Sequence, residues 1–589
     1  MARLDPHSYA DDTQPKVVSL DWEARVDFPS RTLEAAATLT LAAAAKVGPL
    51  DLDSRGLEIT SISDDRGDAV PFTLAASEPI LGARLSLSLG EGVRSVTIRY
   101  RTAPDASALQ WLEPAQTAGG VQPYLFSQCQ AIHARSVVPL QDTPSRRITY
   151  NAALTVPAAL RALMAAGFVA REVSGDVAVE RWSMPQPLAP YLFAFAVGDL
   201  ASRELGTRSR VWAEPSVVDG AAWEFAEMDS MLAAGEALFG PYAWERFDIL
   251  VMPPSFPFGG MENPRLTFVT PTLLAKDRSQ VRVIAHELAH AWTGNLVTNA
   301  NAEHFWLNEG WTRYAEIRIT EMVEGPDVAA LLAAICRRNL DETVERFLRE
   351  GHGGLTRLRT HLTGIDPDEV FSVVPYDKGE LFLRTIELEV GRQRFDAFAK
   401  RYLDTFRFGA VTTEAFLAFT EGELPGVLAR VDAPRWVDGE GVPEGAPVAR
   451  SARLDAVEQM GDALPPADTD LSSTEWNLWL ERLPRPISRE FCSALDQRFP
   501  FTATGNMEVK VAWLRVALAS GYDAVLPEVE RVLTTVGRMK YLVPLYTGLL
   551  ERTETAELAR SIFARAAAGY HPIACAVLKA RLAKPPPPR

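Results

Sequence analysis

The chain has few cysteines, no excess of positive charge and no long apolar run. Its four cysteines, Cys129, Cys336, Cys492 and Cys575, stand far apart and form no CxxC pair. That argues against a disulfide framework and against a thiolate zinc site, and it reads as four reduced, mostly buried thiols. Sixty Lys plus Arg stand against 76 Asp plus Glu, a net charge of −16. Phosphate affinity comes from basic clusters, so no nucleic-acid partner is expected. No uninterrupted apolar stretch approaches the ~20 residues of a membrane span. The stretch from Met1 to Trp22 is polar and mixed in charge, without an apolar core of signal-peptide length. The expectation is a cytoplasmic monomer with no membrane span.

What is present fits a multidomain α+β protein. At 589 residues the chain is too long for one hydrophobic core. Residues 1–200 read as β structure, a saddle or sandwich. Leu33, Ala35, Ala37, Leu39 and Leu41 alternate with mostly polar neighbours, as do Val96, Ile98 and Tyr100. From residue 201 to 435 the pattern turns mainly helical, with Trp223, Phe225, Met228, Met231 and Leu232 at helical spacings up to Gly240. Residues 436–452 contain DGEGVPEGA, an aperiodic mix that marks a linker. Residues 453–584 read as serial amphipathic helices stacked into a solenoid, with Val509, Ala512, Trp513, Val516 and Ala519 on one face. Residues 585–589, PPPPR at their core, read as a tail.

The chemistry concentrates in His286-Glu287-Leu288-Ala289-His290. The surrounding segment, Arg282 to Trp292, has no Gly or Pro and reads as helix. Residues four apart on a helix share a face, so both imidazoles reach one ion. A catalytic zinc takes three protein ligands and keeps a fourth position for water. Glu309, in Trp306-Leu307-Asn308-Glu309-Gly310, follows His290 after eighteen residues, room for a turn and a returning helix. It is the candidate third ligand to a single zinc ion. Glu316, two turns further along the same face, is placed to hydrogen-bond a ligand imidazole. Glu287 is placed to take a proton from the water.

Several ordered motifs resemble the gluzincin aminopeptidases, in the branch of leukotriene A(4) hydrolase and its bacterial and fungal relatives. They are Phe126-Ser127-Gln128-Cys129-Gln130-Ala131-Ile132-His133, the run Pro253 to Pro271, and the segments Trp292 to Asn299 and His304 to Gly310. The resemblance implies a saddle-like β domain, a thermolysin-like catalytic domain and a curved helical C-terminal domain. It implies that Gly259-Gly260-Met261-Glu262-Asn263 is an exopeptidase signature, with Glu262 facing the substrate's ammonium. Gln128 and Gln130 would help hold the first residue, and Asp368 would shape an inner pocket. Tyr376, in Val374-Pro375-Tyr376-Asp377-Lys378-Gly379, would hydrogen-bond the oxyanion. Five residues before it, where that branch commonly carries a second tyrosine, stands Phe371. Arg538 and Lys540, in Gly537-Arg538-Met539-Lys540, would grip the far carboxylate of a di- or tripeptide.

The expected function is removal of the N-terminal residue from short peptides with a free amine. Three rivals remain at this level. A fatty-acid epoxide hydrolase could use the same cleft, alone or as a second activity. A thermolysin-like endopeptidase is opposed by Glu262. A non-catalytic zinc scaffold is opposed by Glu287 and Tyr376, which it would not need.

Overall fold

The computed structural model describes residues 5–280 and 282–583, so the tail expected at 585–589 lies outside the described residues. The N-terminal part is built on a seven-stranded sheet. Its order is Gly167–Ser174, Val177–Leu188, Ile148–Pro157, Val17–Asp27, Thr32–Leu41, Ser95–Arg101 and Glu58–Asp64. Strand alternation sets which side is dry: Leu33, Ala37, Leu39 and Leu41 are buried, with Ala35 half-buried, and Val96, Ile98 and Tyr100 face the same core. Registers such as Ala37 opposite Ile98 and Leu39 opposite Val96 keep these side chains in cross-strand pairs. A three-stranded and a four-stranded sheet complete the β layer.

Residue 201 does not open a helical region directly. Strands Ala201–Glu204, Ser209–Ala213, Phe247–Val251 and Thr267–Val269 form a five-stranded sheet closed by the edge strand Gly260–Met261. The spacing from Trp223 to Leu232 also belongs to two helices, Val218–Glu224 and Met228–Phe239, rather than one. Trp223 is 51% exposed and stacks under the Arg278 guanidinium, so it takes no part in the core face. The helices that follow pack into the same hydrophobic core as the β layer, through Trp306, Trp311 and Tyr402.

Helix Ala433–Val437 runs two residues into the segment read as a linker, and Trp436 and Val437 are buried. The helical part begins at Ala452–Gln459 and ends with Pro572–Leu582. Its core is separate, built on Trp479, Trp513, Leu514, Leu545, Tyr546 and Ile562. Several of its helices start at side-chain caps. Ser472 and Glu475 form a reciprocal capping box, and Ser488 and Asn506 accept from the first free backbone N–H groups. Asn506 also donates from its amide to Ser279 Oγ at 2.8 Å, which ties the helical part to the catalytic part.

Candidate metal centre and substrate cleft

Helix Arg282–Ala289 places His286, and the chain continues with a His290 N–H to His286 carbonyl bond of 3.2 Å, so the two imidazoles stay on one face. Helix Trp306–Glu324 returns alongside and brings Glu309 in its first turn. The Nε2 atoms of His286 and His290 each lie 3.5 Å from Glu309 Oε2. Ligand atoms held ~2.0–2.2 Å from a tetrahedral zinc stand about 3.4 Å apart, so the spacing fits that ion. Glu309 Oε2 is also a buried carboxylate oxygen with no hydrogen-bond partner among the described residues.

The outer nitrogens are occupied in the way a metal site requires. His286 Nδ1 meets Glu316 Oε2 at 2.9 Å. His290 Nδ1 lies 3.2 Å from the Thr293 carbonyl, which can only accept. Both Nδ1 atoms are therefore held as donors, and both Nε2 atoms face the position that an ion would take. Arg313, which the motif reading did not single out, bonds Glu316 at 2.5 Å and Asp377 at 3.1 Å and lies over the Tyr376 ring. Its position, four after Glu309 and three before Glu316, was the available signal. Thr312, hydrogen-bonded to His290 Nδ1 at 3.1 Å, had none.

Electrostatically the site is short of positive charge. Burial, with the neighbouring Glu309 and Glu316 charges, pushes Glu287 up to about 8. Burial, with repulsion from Glu309 and Glu287, holds Glu262 well above the usual carboxylate range. Burial disfavours charging His286, yet the neighbouring Glu309 and Glu316 carboxylates prevail and raise it to about 10, while burial takes His290 down to about 4. Three dry carboxylates in one cleft call for cations: a metal ion at Glu309 and an ammonium at Glu262.

Two glycine contacts set this geometry. A Cβ on Gly260 would lie 2.2 Å from Glu287 Oε1, so Gly260 lets the glutamate reach over the site. A Cβ on Gly310 would lie 2.7 Å from the Gly379 Cα, so the Glu309 helix and helix Gly379–Val390 cross at backbone contact. That crossing brings the turn Val374–Lys378, and with it Tyr376, against the metal site. Tyr376 stacks on His286 with centroids 6.0 Å apart. Burial and the nearby Glu309 and Glu262 charges keep its hydroxyl protonated, a donor.

A cavity of about 1000 Å³ opens on these residues. Gln128, Gln130, Gly259, Gly260, Glu262, Glu287 and Tyr376 line it with the three ligands. Met261 is buried, its pairing with Phe268 fixing the edge strand. Gln130 approaches Glu262 at 3.5 Å, and Asn295 donates to the Glu262 carbonyl at 2.7 Å. Asp368 sits on the cavity wall with His133 Nε2 at 2.7 Å, and Phe371 lies nearby, half exposed. Arg538 is buried behind Gly259, whose added Cβ would lie 3.2 Å from its Nη2, and is not itself among the residues lining the cavity. Lys540 is not brought to the cavity wall: it is exposed and pairs with Glu508 at 2.8 Å.

Comparison with known proteins agrees with this geometry. Residues 6–192 match the Peptidase M1 N-terminal domain, 223–431 the Peptidase family M1 domain, and 471–582 the leukotriene A4 hydrolase C-terminal domain. The chain is 36% identical to a leukotriene A-4 hydrolase of Xenopus laevis, over 97% of each chain. It is 36% identical to leucine aminopeptidase 2 of Aspergillus terreus, over 90% of this chain and 89% of that one. It superposes on yeast LTA4 hydrolase in complex with bestatin with a TM-score of 0.91 at 31% identity, covering 99% of this chain and 98% of the other. With a three-part M1 architecture and a zinc-shaped His-His-Glu site, the chain belongs to peptidase family M1, as a zinc aminopeptidase carrying the leukotriene A4 hydrolase C-terminal domain.

Proposed function

We propose that the enzyme removes the first residue of di- and tripeptides that carry a free amine, with His286, His290 and Glu309 holding one zinc ion. The observation that carries this reading is the closeness of Glu262 to the reacting groups. Ligand atoms of Glu262, Glu287 and His290 lie within 4.8 Å of one another. An ammonium held by Glu262 leaves room for a single residue before the scissile bond.

Zinc, when bound, supplies the Lewis acidity that makes water nucleophilic near neutral pH and polarises the carbonyl. Glu287, held over the site by the Gly260 contact, takes the water's proton as attack occurs and delivers it to the departing amine. Tyr376 donates to the oxyanion, whose charge develops as the carbonyl becomes tetrahedral. Gln130 steadies the Glu262 carboxylate, and Glu316, backed by Arg313, keeps His286 in the tautomer that leaves Nε2 free. Arg538 meets the far carboxylate of the peptide behind Gly259.

The test compares a tripeptide with its N-acetylated form, in the wild type and in Glu262→Gln. The wild type should reject the blocked peptide. The variant should lose that preference by lowering use of the free amine. Unchanged preference would place the ammonium on another acid.

The cavity volume favours one further reading, hydrolysis of a fatty-acid epoxide in the same cleft. The Xenopus laevis relative bears the name of that activity. Here the position near Tyr376 is Phe371, which brings no hydroxyl, so product formation from an epoxide substrate is the measurement that decides it.

A further inference from the structure

Helix Met507–Ala519 begins beside the catalytic part, capped by Asn506, and Glu508 stands in its first turn. Its carboxylate points at Arg538, which the substrate's far end would meet, and at the exposed Lys540 beside it. Glu508 Oε1 receives Lys540 Nζ at 2.8 Å, Tyr541 OH at 2.9 Å and Arg538 Nη1 at 3.4 Å. Arg538 Nη1 also donates to Tyr541 OH at 2.8 Å and to Thr272 Oγ1 at 3.1 Å. One edge of the guanidinium is thus engaged inside the protein. Its Nη2 is the edge turned toward Gly259 on the cavity wall.

A pair of cations built only to capture a carboxylate would carry a charge of +2. Here an internal carboxylate already occupies the place between them, and the cluster as a whole carries +1. Two of its three charges are shielded from water: Glu508 is 16% and Arg538 9% exposed by side chain, against 60% for Lys540. Coulomb interactions there are stronger than in bulk water.

We propose that Glu508 is a specificity-determining residue of the peptidase reaction, an internal carboxylate that weakens Arg538's preference for peptides ending in a free carboxylate. The substrate class it admits is wider than acids alone: di- and tripeptides whose far end is a carboxylate or an amide. The inference rests on the reading that Arg538 meets the far end of the substrate.

Glu508→Gln is the decisive variant, because the amide oxygen still accepts from Tyr541 and Arg538 while the charge is gone. The measurement is kcat/KM for a tripeptide and for the same tripeptide as its C-terminal amide. The acid-to-amide ratio should rise by about threefold to tenfold, the size expected for removing one unit charge several ångströms away at a partly wet site. The change should sit in KM and shrink at high salt. An unchanged or lowered ratio overturns the proposal, since a carboxylate that merely ties two helices together would act on both peptides alike. Arg538→Gln separates the two readings. If it lowers the wild-type ratio while Glu508→Gln leaves it unmoved, only the Glu508 role fails. If it leaves the ratio unmoved, the clamp fails and the Glu508 role falls with it.

Discussion

Tyr376 and His286 carry the predictions that belong to single residues. The Tyr376 hydroxyl is protonated by its surroundings and meets an oxygen that is charged only in and near the transition state. Tyr376→Phe should lower kcat by about 10²–10³, the usual cost of one lost oxyanion donor, with little change in KM. A change confined to KM would make it a ground-state contact. His286 is raised to about 10 without the ion, although zinc takes only the neutral imidazole. Each ion bound below that pH must therefore release a proton. Zinc affinity should rise about tenfold per pH unit between about 7 and 9, measured by competition with a chelator of known pH dependence. A flat profile would show that His286 is already neutral in the apo protein.

At the scale of elements, the Gly310–Gly379 crossing decides whether the site is assembled at all. A methyl at Gly310 meets backbone at 2.7 Å, which no rotamer change relieves. Gly310→Ala should force the two helices apart, separating Tyr376 from the metal ligands. Overpacking of this kind typically costs about 1–3 kcal/mol. The expected result is a lower Tm and a drop in kcat larger than any loss of zinc, because Glu309 and both histidines lie on one side of the crossing. Wild-type kcat in a folded Gly310→Ala protein would refute the account. This crossing also shows where sequence reasoning stopped. His286, His290 and Glu316 were legible because a helix repeats every 3.6 residues, and the alternation around Leu33–Leu41 because a strand repeats every two. The backbone contact between Gly310 and Gly379 joins positions 69 apart and leaves no periodic trace. The break between the helices ending at Glu224 and beginning at Met228 was missed for a different reason: apolar spacing runs on through it, while Trp223 lies on a cation–π contact outside the core.

For the whole molecule, the helical part must act on a reaction whose ligands all lie in the middle of the chain. Its segment 537–539 is fastened to the stretch just before Gly259 by the Gly537 N–H to the Pro254 carbonyl and the Met539 N–H to the Pro257 carbonyl, at 2.8 and 3.1 Å. Arg538→Ala should therefore reduce kcat/KM for a tripeptide by about one to two factors of ten, the worth of a charge-assisted hydrogen bond. An aminoacyl anilide, which has no carboxylate, should be much less affected. Equal losses on both would mean that the residue serves the fastening and not the substrate. No helix among the described residues is long and apolar enough to cross a membrane.

The two-residue strand Gly260–Met261 is the last in its sheet, and Gly260 lines the cleft. A peptide lying there in extended form would become one more strand of the protein for the length of a turnover. Such a grip reads main chain and ignores side chains, so substrates differing only in side chain would share it. Replacing an amide N–H near the cut by N-methyl, with every side chain kept, would strip that grip away. Tolerance for side chains and intolerance for an altered backbone would then be expected together, from one origin, an unfinished sheet.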